Sequence, residues 1–164
     1  MKKTTFLIIS LFLLICINAC AGYKPIFASS GFQFKIADYS INGNKKLGNK
    51  IYSKLHNISK LNKNNPDIQS VRVSIHASMD KLATVKNSSG KTLEYKINLN
   101  TNIIVYNFLT NEEVLNQNFN YYSSYTVQDQ HSETLKLENQ VIENLVNTTY
   151  QNTLIKISES FTTK

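Results

Sequence analysis

Apolar and polar residues alternate in four segments of the chain, and this period of two predicts four β-strands. The alternation covers residues 32–41, 71–78, 93–107 and 115–125. Residues 79–91 include the turn-forming sequence Asn-Ser-Ser-Gly and break the alternation. They are predicted to form a connection between the second and third strands.

Two further segments have the period of an amphipathic helix. In the first, apolar residues recur at spacings of four, four, three and three: Leu47, Ile51, Leu55, Ile58 and Leu61. Asn42 or Asn44 can cap its start, and Gly48 should weaken it by up to about 1 kcal/mol. The second helix is predicted over residues 131–158, with one face formed by Leu135, Ile142, Leu145, Val146, Thr149, Thr153 and Ile157.

The predicted order is therefore strand, helix, three strands, helix. The sheet has one apolar face and each helix has one apolar stripe, so the simplest arrangement packs both helices on that face. The sequence predicts a single α+β domain over residues 32–164. It is a two-layer sandwich with a four-stranded, mainly antiparallel sheet, whose other face, rich in Asn and Lys, is left for water or a partner.

The first 19 residues have the three zones of a secretory signal peptide. Lys2 and Lys3 are positive, Phe6–Ile17 is apolar except for one serine, and a short polar-then-small segment follows. A membrane-spanning helix needs about 20 apolar residues, and this run is shorter. Residues 1–19 are therefore predicted to be removed on export.

The end of this leader resembles the lipobox of bacterial lipoproteins. Ile17-Asn18-Ala19-Cys20 places an aliphatic residue three positions before a cysteine and a small residue directly before it. The Cys20 thiol would then carry a diacylglycerol through a thioether, and residues 20–31 would form a lipidated tether. Two or three acyl chains anchor a protein far more firmly than one. The alternative is an ordinary signal peptide with a chance cysteine.

Charge is unevenly distributed. Residues 35–100 contain twelve basic and four acidic side chains (+8), whereas residues 101–164 contain three basic and seven acidic ones (−4), within a chain of net charge +7. Such an asymmetry favours a surface for an anionic partner. The alternative is an AT-rich genome that encodes many Lys and Asn residues on an ordinary solvated surface.

The sequence contains no recognisable catalytic or metal-binding motif. His56, His76 and His131 lie far apart, and neither a nucleophile elbow nor a phosphate-binding loop occurs. We therefore expect a protein that is not an enzyme and needs no cofactor or metal. A cluster of tyrosines at 121–125 could stack on bases, but export argues against a nucleic-acid partner, and we expect these tyrosines to pack in the sheet or at an interface.

Three segments together resemble the family of the lipopolysaccharide-assembly lipoprotein LptE, of the alphaproteobacterial type. Residues 20–27, Cys-Ala-Gly-Tyr-Lys-Pro-Ile-Phe, are similar to its Cys-Gly-Phe-x-Pro-Leu-Tyr opening, with Ala21 as an extra residue. Residues 95–99, Tyr-Lys-Ile-Asn-Leu, look like its long central strand. Residues 125–129, Tyr-Thr-Val-Gln-Asp, look like the junction before its last helix.

The resemblance implies an outer-membrane lipoprotein, lipid-anchored on the periplasmic-leaflet side. It would plug the LptD β-barrel, assist its assembly and help deliver lipopolysaccharide to the outer leaflet, without a cofactor. Because lysine binds phosphate, the residues expected to contact lipopolysaccharide are Lys81, Lys86 and Lys91; the first-helix stripe of Lys46, Lys50 and Lys54 is the second choice. The alternative is a generic periplasm-facing lipoprotein that binds another protein or an envelope component.

Overall fold

Four strands and two helices make up the part of the chain that the computed structural model describes, residues 34–60 and 68–162. The elements are β1 (Phe34–Gly43), α1 (Lys45–Lys60), β2 (Gln69–Lys86), β3 (Thr92–Asn107), β4 (Glu113–Thr126) and α2 (His131–Thr162). The predicted α+β class and element order are confirmed. The predicted signal peptide, residues 1–19, and tether, residues 20–31, lie outside the described residues.

The sheet has the strand order β1-β2-β3-β4 and is mixed. β2, β3 and β4 form the predicted antiparallel meander, with Val73 opposite Val105 and Val105 opposite Leu115. β1 is parallel to β2. Parallel neighbours need a crossover connection, and α1 forms part of the connection between these two strands.

One face of the sheet carries the core. Its inward-facing side chains are almost fully buried: Phe34, Val71, Val73, Ile75, Ala77, Ile97, Leu99, Ile103 and Val105. α1 packs on β1 and β2, α2 packs on β4 and β3, and the helices touch each other. This is the predicted two-layer arrangement with both helices on one face.

The hairpin between β2 and β3 differs from the prediction. Residues 79–91 were expected to be a connection, but β2 continues to Lys86 and only the short turn after it is irregular. β1 ends opposite Ala77, so the remainder of β2 pairs with β3 alone. Side chains there are mostly exposed, and an exposed strand has no need of apolar alternation.

Helix α1 begins at a cap and contains one close packing contact. Asn44 is the cap: its side-chain oxygen accepts a hydrogen bond from the backbone N–H of Leu47 at 3.2 Å. Gly48 is buried, and a Cβ atom at this position would collide with the Cγ2 methyl of Ile41 on β1. The glycine that weakens the helix locally therefore lets α1 approach the sheet.

Helix α2 buries an apolar stripe that contains two threonines. Thr149 and Thr153 are fully buried, and their hydroxyls donate to the backbone oxygens of Leu145 at 2.9 Å and Thr149 at 2.7 Å. Back-bonding of this kind satisfies the hydroxyls in the core. Leu154, which the sequence interpretation omitted, is also buried, whereas the prediction for Leu135 was wrong because this residue is exposed.

Candidate functional site

The end of the sheet formed by the β2–β3 hairpin contains the three predicted lysines. Lys81 lies on β2, Lys86 is its last residue, and Lys91 follows the turn. The side-chain oxygen of Asn87 accepts from the backbone N–H groups of Ser89 at 3.0 Å and Lys91 at 2.9 Å, which closes the turn.

Lys81 is engaged in a polar cluster on the helix-covered side of the sheet. Its Nζ donates to Oε2 of Glu138 on α2 at 2.6 Å, and the Tyr125 hydroxyl donates to the same oxygen at 2.8 Å. The ammonium also lies 4.4 Å from the ring centre of Tyr95 and 5.5 Å from that of Tyr125. These contacts connect β2, β3, β4 and the first part of α2.

The cluster shifts the pKa values of Lys81, Tyr125 and Glu138. Partial burial alone would raise the pKa of Glu138, but the hydrogen bonds from Lys81 and Tyr125 outweigh it and lower that pKa. Burial would lower the pKa of Lys81, whereas its bond to Glu138 raises it. Burial raises the pKa of Tyr125. At neutral pH the cluster therefore holds a charged lysine, a carboxylate and a neutral tyrosine.

Only two of the three lysines share a cavity. Lys81 and Lys91 both line a surface cavity of about 410 Å³, together with Tyr95, Leu135 and Glu138. Lys86 does not line it. In the described parts of the chain neither Lys86 nor Lys91 forms an ion pair. Their ammonium groups are therefore available to an anion, whereas Lys81 already has a carboxylate partner.

Exposed apolar side chains accompany these lysines. Leu82 is 52% exposed and Val85 is 44% exposed on β2, and Leu93 on β3 is 42% exposed. We call the segment from Lys81 to Leu93 the hairpin tip. A segment with both exposed apolar and cationic side chains suits a ligand that carries acyl chains and anionic groups.

The second-choice basic stripe is partly neutralised. Lys50 and Lys54 on α1 both bind Glu143 of α2, at 2.9 Å to separate carboxylate oxygens. These two bonds lower the pKa of Glu143. Lys46 lines the same shallow groove as this triad. The stripe therefore joins the two helices, and its net charge is smaller than the sequence suggests.

Other candidate chemistry is sparse in the described ranges 34–60 and 68–162. They contain no group of three or more His, Cys, Asp or Glu residues arranged to hold a metal ion. None of their helices is both long and apolar enough to cross a membrane. Cys20, the predicted lipidation site, lies outside the described residues.

Sequence reasoning found the lysines but missed their partners. Glu138 and Tyr125 were not predicted as neighbours of Lys81. The available signal is the helical period of α2: counting back from buried Leu145, the stripe that faces the sheet passes through Glu138 and Thr134, not Leu135. A carboxylate on a core-facing stripe requires a partner, and an inward-facing lysine on β2 is the natural one.

Comparison with solved structures identifies the same fold in bacterial lipoproteins. The chain is similar to lipoprotein B of Nitrosomonas europaea, with TM-score 0.58, 16% identity and coverage of 87% of this chain and 93% of the other. It is also similar to a candidate lipoprotein of Caulobacter crescentus, with TM-score 0.54, 10% identity and coverage of 77% and 90%. At these identities the likeness establishes the fold alone. No protein-family model and no curated protein sequence matches the chain.

Proposed function

We propose that the chain is a lipoprotein of the outer membrane that plugs an LptD-type β-barrel, assists its assembly and helps pass lipopolysaccharide to the outer leaflet. In this proposal Cys20 carries the acyl chains, and the domain acts by binding, without catalysis or cofactor. The observation that carries it is the shared fold: two similar structures, with TM-scores of 0.58 and 0.54, come from proteins described as lipoproteins, one of them as a candidate. The lipobox-like sequence at residues 17–20 supports the anchor.

The hairpin tip supports the lipid part of the proposal. Lipid A combines phosphates with acyl chains, and the hairpin tip contains both the lysines Lys86 and Lys91 and the exposed apolar residues Leu82, Val85 and Leu93. Lysine contacts phosphate as a point charge. In the proposed complex Lys81 acts differently, since it already binds Glu138. Its role is to fix the base of the tip, and Lys86 and Lys91 contact the anion.

The partnership is tested by gentle detergent extraction of native outer membranes followed by purification of the tagged full chain. A large β-barrel protein should co-purify, and depletion of the chain should reduce the folded form of that barrel. Recovery of the lone domain, with lipopolysaccharide export unchanged, would refute the plug function. It would leave a periplasm-facing lipoprotein that binds another envelope component.

The lipid contact is tested separately with purified lipopolysaccharide. Exchange of Lys86 and Lys91 together to Glu should weaken binding by about tenfold, because two charge-assisted contacts become repulsive. Lys35→Glu with Lys45→Glu is the matched control, with the same charge change on exposed residues away from the tip. If both pairs weaken binding equally, the hairpin tip is not the site.

A further inference from the structure

The open face of the sheet carries an ordered array of amide side chains. Alternation of β3 and β4 places these asparagines opposite the helix-covered face, and the register aligns them across the strands. Asn100 lies opposite Asn120, and Asn102 lies opposite Asn118. On the other side of β3, Ser78 and His76 of β2 continue the same two rows. The array therefore has two rows across β2, β3 and β4. One row is Ser78, Asn100 and Asn120, and the other is His76, Asn102 and Asn118.

A shallow cavity of about 290 Å³ lies over this array. That volume is close to the lower end of small-molecule sites, about 300 Å³. Among the described residues that line it, none is Lys, Arg, Asp or Glu, although the chain has a net charge of +7. The side chains that the open face contributes to the cavity are His76, Ser78, Asn100, Asn102, Asn118 and Asn120.

Part of this array is fixed internally and part is free to bind. The amide nitrogen of Asn102 donates to Oδ1 of Asn116 at 3.1 Å and to Oδ1 of Asn118 at 2.9 Å. No described residue donates to the Oδ1 of Asn102. The amides of Asn100 and Asn120 make no side-chain hydrogen bond within the ranges 34–60 and 68–162. Each amide offers two donors and an acceptor, so this pair presents both kinds of group to a ligand.

These properties select the chemistry of the ligand. An anion would find no cation in the cavity, and an apolar ligand would leave the amides desolvated without partners, which is unfavourable. A sugar presents hydroxyl groups that both donate and accept, and it carries no charge. Beside the array, Tyr122 is 67% exposed and lies in the next row, opposite Asn98. Its ring offers an apolar surface to a second sugar.

We propose that this open face binds an uncharged oligosaccharide, with Asn100, Asn102 and Asn120 as the main hydrogen-bonding groups and Tyr122 as a flanking platform. The site lies on the sheet face that the helices leave open, whereas the Lys81 cluster lies on the helix-covered side. It does not depend on the proposed barrel partnership. The Lys96 ammonium lies over one face of the Tyr122 ring, 3.9 Å from its centre, so the opposite face is the one that would contact a sugar.

The test is an NMR titration of the detergent-solubilised full chain with maltotetraose, cellotetraose and chitotetraose, and with tetragalacturonate as the anionic comparison. The side-chain amide signals of Asn100, Asn102 and Asn120 in the unaltered protein should shift with at least one neutral sugar. Absence of any shift at about 10 mM of all three neutral sugars, which corresponds to affinities too weak for a site, would overturn the proposal. Tighter binding of tetragalacturonate would overturn the neutral ligand class.

Variants then locate the site. Asn100→Ala combined with Asn120→Ala should weaken neutral-sugar binding by about tenfold, because several hydrogen bonds are lost. The control is Asn49→Ala combined with Asn57→Ala, two Asn-to-Ala changes at exposed positions of α1, and it should leave affinity unchanged. Equal effects of the two double variants, or none from the change at Asn100 and Asn120, would refute this site. If the double variant at Asn100 and Asn120 does not fold, the titration of the unaltered protein still tests the proposal, because it requires no substitution.

Discussion

The two faces of the sheet are formed by the same strands but differ in residue type and in burial. On the helix-covered face Ile103 and Val105 of β3 are fully buried, whereas on the open face the alternating positions Asn100 and Asn102 are only half-buried. Burial of a large aliphatic side chain contributes about 1.5–3 kcal/mol. A half-buried amide side chain contributes much less, because it removes little apolar surface from water. The helix-covered face therefore provides most of the stability, and the residues of the open face can be suited to binding a ligand.

The largest expected effect contrasts neighbouring residues of β3. Ile103→Ala should lower the free energy of unfolding by about 2–5 kcal/mol, because it opens a cavity among packed side chains. Asn102→Ala, one residue away on the open face, should change it by only about 0.5 kcal/mol. Urea unfolding of both variants measures the contrast. Similar losses would mean that the amide array is part of the stabilising framework.

The same contrast explains why the fold could be predicted. Wherever one face of an element is covered, its sequence must alternate or repeat, and β3, β4 and α1 were recognised from that requirement. The distal half of β2 was not, because exposed Leu82, Ala83 and Thr84 carry no such constraint. Backbone pairing with β3 holds that half in place. Such pairing does not depend on side-chain identity, so it cannot be recognised from a single sequence.

The candidate site was predicted only in part. The lysines of the hairpin tip were visible as a local concentration of charge, but Glu138 is 57 positions away from Lys81. Its proximity results from the packing of α2 on the sheet. Whether a lysine is paired or available therefore depended on the fold itself. The lysine-rich tip and the amide-rich face were both anticipated as surfaces, but the internal hydrogen bonds of Lys81 and Asn102 were not.

A smaller effect is expected at the closest approach of α1 to the sheet. Gly48→Ala gains about 1 kcal/mol of helix propensity but forces its Cβ into the Cγ2 methyl of Ile41, and overpacking costs about 1–3 kcal/mol. The net change should be a loss of about 1 kcal/mol in the free energy of unfolding. Asn49→Ala, exposed on the next position of the helix, should instead be neutral or slightly stabilising.

A double-mutant cycle identifies the cause of that loss. Ile41→Ala removes the methyl group that the new Cβ would meet, so Gly48→Ala should be less damaging in that background than in the wild type. Unfolding curves of the four proteins give the coupling energy. Strict additivity would show that Gly48 is required for another reason.

The smallest expected effect concerns the Lys81–Glu138 pair on the helix-covered face. Glu138→Gln keeps the size of the side chain but removes the charge that binds Lys81. At neutral pH we expect a loss of about 0.5 kcal/mol, since both side chains are partly solvated and water screens the pair. Glu112→Gln, exposed in the β3–β4 turn and without an ion pair in the described residues, should change stability much less.

The pH dependence of that difference tests the assignment to charge. The folded-state pKa of Glu138 is lowered, so its contribution is complete above the ordinary glutamate pKa, about 4.3, and is lost as the pH falls through the lower folded value. Lys81 has a raised pKa, so the pair persists until the pH rises through that value. Wild type and Glu138→Gln should therefore converge in acid and remain apart at neutral pH. If wild type and Glu138→Gln still differ in free energy of unfolding at low pH, Glu138 stabilises the fold by packing and not by charge. The helix-covered face would then differ from the open face in burial alone.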